Sequence, residues 1–150
     1  MGVTTSEKKS LSLTPLHCGI SVPDIEASIT WYKEILGFSL VFQKYIPPLK
    51  AKVAFLEHGD FSIELFEVED AAPLPEGRRI PNLDIRTNGI KHVAYAVDNL
   101  HNSMVELKSK GADVAIDIFS MEGDLVAFIR DNAGNLIELI QRIAKRERED

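Results

Sequence analysis

The sequence predicts an α+β fold made of two βαβββ modules that arose by internal duplication. The segment "HCGISV" at residues 17–22 returns as "HVAYAV" at residues 92–97. Aligning His17 on His92 also matches Val22 with Val97, Ile25 with Leu100, Ser28 with Ser103 and Ile29 with Met104, without a gap. One gap later, "AFLEHGDFSIEL" at 54–65 lies on "AFIRDNAGNLIEL" at 127–139, and both copies close on Ile-Glu-Leu. Self-similarity of this kind marks a repeated supersecondary unit, and two such units share one core.

The elements follow in chain order. "PLHCGISV" alternates apolar and small residues, the pattern of a half-buried strand. Asp24 then caps a helix over "DIEASITWYKEIL", whose apolar stripe is Ile25, Ile29, Tyr32 and Leu36. Gly37 ends it, at the position where a left-handed residue is wanted. Strands are expected over "FSLVFQKY", "AKVAFLE" and "FSIELFE", the last two joined by a turn at His58, Gly59 and Asp60. The second copy repeats the order: strand "IKHVAYAV", helix "DNLHNSMVELKSK" stopped by Gly111, then strands "DVAIDIF", "LVAFIRD" and "NLIELIQ". Antiparallel pairing is expected within each run of three strands. Between the copies, "EDAAPLPEGRRIPNLDIRTN" is rich in proline and charge and reads as a loop, long enough to serve as a lid or binding segment. The expected divisions are a disordered tail over 1–12, a first module over 13–69, an inter-module loop over 70–87, a second module over 88–142 and a charged tail over 143–150.

Composition narrows the function. The 150 residues are 45% apolar, enough for one sizeable core. The charge balance is 17 − 23 = −6, with no basic stripe to neutralise phosphates, which argues against nucleic-acid binding. No apolar run approaches the ~20 residues that span a bilayer, and the polar stretch 1–15, lacking an apolar h-region, is not expected to act as a secretory signal. A single cysteine, Cys18, allows no internal disulfide and no multi-cysteine zinc site. A cytoplasmic protein acting on a small molecule, with no nucleic-acid or membrane partner, is expected.

Strand alternation then places the polar residues. Cys18, Ile20 and Val22 share one face with the helices, and His17, Gly19 and Ser21 share the other. Val93, Tyr95 and Val97 likewise oppose His92. On the closing strands Ile63 and Leu65, and Ile137 and Leu139, face the helices. Glu64 and Phe66, and Glu138, are left on the opposite side. Two carboxylates among apolar neighbours are costly to bury unpaired. Two imidazoles and two carboxylates on matched faces suit a divalent cation such as zinc, nickel, cobalt or manganese. The competing interpretation is two core histidines hydrogen-bonded to two strand glutamates, with no metal. Arg78, Arg79 and Arg86 in the inter-module loop are candidates to clamp an anionic substrate. His58 and His101 are expected in solvent, and Cys18 as an inert thiol.

"LHCGISVPDIEASITWYKEILGF", "GIKHVAYAVDNL" and "DNAGNLIELIQ" resemble the vicinal oxygen chelate superfamily, and the likeness covers residues 13–142. That superfamily includes glyoxalase I, methylmalonyl-CoA epimerase, extradiol dioxygenases, and fosfomycin and bleomycin resistance proteins. The resemblance implies paired βαβββ modules forming a U-shaped, partly closed mixed sheet around a divalent metal. It implies homodimers, some formed by exchanging modules. Carried onto this chain, the metal ligands are His17, Glu64, His92 and Glu138, with Glu138 or Glu64 as the base. Ser21 stands four residues after the first histidine, where glyoxalase I has an arginine for glutathione. "YIPPLKAK" has no carboxylate where the epimerase has an extra glutamate. The implied activity is that of a metal-dependent lyase or isomerase working through a metal-chelated enediolate on a small hydroxycarbonyl or thioester. Its substrate would meet Ser21, Phe66, Arg78, Arg79 and Arg86. The alternatives are an extradiol-type dioxygenase and a non-catalytic ligand-binding or resistance protein of the same fold.

Overall fold

A computed structural model describes residues 11–143. The two expected tails, 1–12 and 143–150, lie outside the described residues except for positions 11, 12 and 143. The first copy folds as β1 (His17–Ser21), α1 (Ile25–Leu36), β2 (Ser39–Ile46), β3 (Ala51–His58) and β4 (Phe61–Val68). A short helix, α2 (Pro81–Asp84), lies between the copies. The second copy is β5 (Val93–Ala96), α3 (Leu100–Ser109), β6 (Asp113–Met121), β7 (Asp124–Arg130) and β8 (Leu136–Gln141). No helix among the described residues is long and apolar enough to cross a membrane.

Local chemistry sets the helix ends. The Asp24 carboxylate accepts from the Ala27 N–H at 3.1 Å, which satisfies a donor that the first turn leaves unpaired. Gly37 takes φ 77°, and the Phe38 N–H then reaches back to the Tyr32 carbonyl at 3.0 Å. In the second copy Asn99 plays the Asp24 part, accepting from the Asn102 N–H at 3.0 Å. A further cap was not evident in the sequence. Glu67, at the end of β4, accepts from the Ile25 N–H at 2.9 Å. Gln141, its repeat equivalent at the end of β8, accepts from the Leu100 N–H at 2.7 Å.

Each copy makes one four-stranded sheet, in the orders β1-β4-β3-β2 and β5-β8-β7-β6. The two first strands pair parallel with the closing strands, and every other pairing is antiparallel. The two βαβββ modules are as expected, with the sheets not closed into one: among the described residues no strand of either pairs with the other. What joins the copies is the core on the helix-covered faces. Ile25, Ile29 and Tyr32 of α1 pack in one cluster with Leu100, Met104 and Leu107 of α3 and with the inward residues of both sheets. Each such side chain contributes roughly 1.5–3 kcal/mol by leaving water. The Tyr95 ring meets Phe61 at 5.8 Å and Phe38 at 6.3 Å. The Tyr32 hydroxyl donates to Asp131 Oδ2 at 2.8 Å, tying α1 to the turn after β7.

The inter-module segment is more ordered than a loop reading allows. Residues Glu76–Arg79 form a 3-10 turn, and Pro81 opens α2 at the helix position that needs no N–H donor. The buried Asp84 closes α2.

Candidate metal centre

His17 opens β1, and Gly19, two residues on, lies opposite Glu64 of β4 in the parallel register. This places His17 Nε2 3.5 Å from Glu64 Oε1. In the second copy His92 stands one residue ahead of β5, and Ala94 lies opposite Glu138. His92 Nε2 is 3.8 Å from Glu138 Oε1. Both gaps exceed ordinary hydrogen-bond lengths, so neither imidazole is committed to its carboxylate. The four side chains keep only 17–32% of their surface exposed, which makes the carboxylates costly to leave without a cation. Each pair has an aromatic wall: Phe55 stands edge-on to His17 at 5.2 Å, and Phe128 edge-on to His92 at 5.1 Å. The donor chemistry of each pair therefore fits half of a divalent metal site.

The two pairs do not converge. Among the described residues no three His, Cys, Asp or Glu side chains come together to hold a metal. Within the described residues the duplication does not carry all four donors to one point. The reason is that the two sheets are joined through their helix-covered faces, not edge to edge. A cavity of about 660 Å³ does border both His17 and His92, and Ser21, Arg78 and Asn135 also line it.

The other candidate residues separate. Ser21 borders that cavity. Phe66 is half-buried on β4, its ring 3.4 Å from where a Cβ on Gly19 would stand. Arg78 is not a free clamp, because its Nε lies 2.7 Å from the buried Asp84 carboxylate. Arg79 turns to a different cavity of about 240 Å³, again beside Ser21, and its carbonyl accepts from Arg130 Nε at 2.7 Å. Arg86 is exposed just beyond α2 and lines neither cavity. His58 is not in the turn but ends β3; it is exposed and faces the Phe38 ring at 5.5 Å, on the helix side of the molecule. His101 is exposed on α3. Partial burial raises the Cys18 pKa above its usual value, which suits an unreactive thiol.

Residues 14–139 match the Glyoxalase/Bleomycin resistance protein/Dioxygenase superfamily. The chain belongs to that superfamily. A probable lactoylglutathione lyase of Synechocystis is 30% identical over 135 residues, covering 88% of this chain and 98% of the relative. Human mitochondrial methylmalonyl-CoA epimerase is 29% identical over 136 residues, covering 83% of this chain and 72% of the epimerase. Glyoxalase I from Zea mays superposes with a TM-score of 0.68 at 29% identity. That overlap covers 87% of this chain but 45% of the maize chain, so this protein spans under half the maize enzyme's length.

Within this superfamily fold, several positions at or near the pairs escaped the sequence reading. Phe55 and Phe128 lay in the matched segments "AFLE" and "AFIR", so the repeat itself held the signal. Asp131 did not stand out. Its Oδ1 accepts from the Ala133 and Asn135 N–H groups and its Oδ2 from Asn135 Nδ2, all at 2.9 Å. It shapes the turn that feeds β8.

Proposed function

We propose that the protein is a divalent-metal-dependent lyase or isomerase that moves a proton beside the carbonyl of a small hydroxycarbonyl or thioester substrate. The supporting observation is the repeated arrangement of imidazole, carboxylate and phenyl wall on the open face of each sheet. His17, Glu64, His92 and Glu138 would hold zinc, nickel, cobalt or manganese. When bound, the ion supplies Lewis-acid polarisation of a carbonyl oxygen. Glu138 is the preferred base, with Glu64 as its repeat partner; either carboxylate can take a proton from a carbon within hydrogen-bond reach. Phe55 and Phe128 keep bulk water off one side of each imidazole. Ser21 and Arg78 line the cavity beside His17 and His92. The setting is the cytoplasm, where a lone free thiol such as Cys18 stays reduced.

The separation of the pairs favours a homodimer. In it, His17 and Glu64 of one protomer meet His92 and Glu138 of its partner, giving two equivalent sites about a two-fold axis. The test uses two double variants, His17→Ala/Glu64→Ala and His92→Ala/Glu138→Ala. Neither alone can assemble four ligands. After mixing and subunit exchange, half the dimers are mixed, and each mixed dimer rebuilds one of its two sites. Tight cobalt binding should therefore recover to about one quarter of the wild-type level. No recovery, with a wild-type protein that binds cobalt as a monomer, would place the whole site in one chain. Wild-type protein that binds none of the four metals would end the metal reading.

A further inference from the structure

Asp84 is 1% exposed, and one carboxylate oxygen receives two cations. Arg78 Nε lies 2.7 Å from Oδ1 and Lys91 Nζ lies 3.3 Å from the same atom. The Lys91 ammonium also donates to the Asp84 carbonyl at 2.6 Å and to the Thr87 carbonyl. An ammonium has three N–H donors, so Lys91 has none left for a substrate. Arg78 Nη2 donates to the Ile90 carbonyl at 2.9 Å. The two cations therefore grip the backbone immediately before His92, and a single buried carboxylate anchors both. On the other side of Asp84, Pro81, Asn82 and Ile85 border a cavity of about 390 Å³ together with His92, Phe128 and Glu138.

We infer that Asp84 is a positioning residue: clamped between Arg78 and Lys91, it fixes the backbone that carries His92 and holds α2 as a roof over the His92–Glu138 pair. The link to His92 as a ligand rests on the metal reading above; the roof does not. Asp84→Asn keeps the shape of the side chain and removes its charge. Arg78 and Lys91 then share a partly buried space with no counter-ion, a strongly unfavourable arrangement. The roof should open without loss of the first module.

The experiment uses full-length Asp84→Asn protein, amide hydrogen exchange and cobalt titration. Exchange over residues 78–91 should speed up at least tenfold while β3 and β4 keep their protection. The cobalt dissociation constant should rise at least tenfold, with a changed visible absorption spectrum. Unchanged protection over 78–91 would overturn the roof. Faster exchange with unchanged cobalt affinity and spectrum would overturn the link to His92. If wild-type protein holds no cobalt, the metal reading fails by itself, and the ¹⁵N shifts of the His92 ring replace the titration; shifts identical in variant and wild type then overturn the positioning role. If Asp84→Asn does not fold, Lys91→Met, which keeps the Arg78–Asp84 pair, is read by the same measurements and the same outcomes.

Discussion

Tyr32→Phe removes one oxygen atom from the junction between the two copies and leaves the ring in place. The lost group is the hydroxyl that donates to Asp131 Oδ2 at 2.8 Å. Tyr32 and Asp131 are 1% and 3% exposed, so water does not readily replace the partner. A hydrogen bond to a charged group contributes about 1.5–3 kcal/mol, and Asp131 Oδ2 keeps its Asn135 donor, so a loss of about 2 kcal/mol is expected. For a chain of this length that corresponds to a fall in Tm of roughly 4–8 °C, read by circular dichroism or calorimetry near pH 7.5. Burial first, and then the Asp131 charge, push the Tyr32 pKa well above its ordinary value of 10.0. The unfolded chain ionises near that ordinary value and the folded one much later. Stability from the neutral hydroxyl is therefore complete below about pH 10 and is lost as pH rises towards the folded value. Burial also raises the Tyr95 pKa, but Tyr95 is common to both proteins and cancels in their difference. The gap between wild type and variant should shrink between about pH 9 and pH 11. An unchanged Tm near neutrality, or a gap constant across that range, would refute the argument.

Three further outcomes are expected. Glu138→Gln should retain metal through the remaining ligands while losing ~10²–10⁴ in turnover; near-native rates with metal present would exclude it as the base, and the same loss in Glu64→Gln alone would exchange the two roles. His58→Ala and His101→Ala should leave cobalt stoichiometry and affinity at wild-type values, since both imidazoles stand away from the open sheet faces; a loss in either, measured by titration, would mean the wrong histidines have been chosen. Gly134→Ala should destabilise by roughly 1–3 kcal/mol in denaturant unfolding, because the backbone there has φ 92°; the nearby Arg79 guanidinium can swing aside and adds little.

The parts of the fold legible in the sequence were those set by local chemistry. Asp24 and Gly37 mark the ends of α1 because caps act within a few residues. Period-two alternation placed His17, Glu64, His92 and Glu138 on the faces away from the helices. The distance between the pairs was not legible, because it depends on how α1 packs against α3 and the second sheet. The Tyr32–Asp131 contact, 99 residues apart in the chain, belongs to that same packing. The Arg78–Asp84 ion pair was not legible for a related reason. Its acidic member, Asp84, looks like one more charge in a charged stretch, and nothing local says that it is 1% exposed. His92 falls just short of β5 where an unbroken strand was expected, and Lys91 beside it bonds to the Asp84 and Thr87 carbonyls rather than continuing the strand.

Glu67 and Gln141 each sit three residues after a candidate ligand, Glu64 or Glu138, on the same strand, and each holds the first turn of the helix that covers its sheet. This arrangement guards strand register during folding. A one-residue slip of β4 would turn Glu64 into the apolar core and bring Ile63 and Leu65 out to solvent. The same slip would carry Glu67 away from the Ile25 N–H and leave that helix donor unmet. The wrong pairing is thus penalised at two distant points at once, before any metal arrives. β8 carries the same double check through Glu138 and Gln141, so the polypeptide alone can select the register in which all four donors face outward.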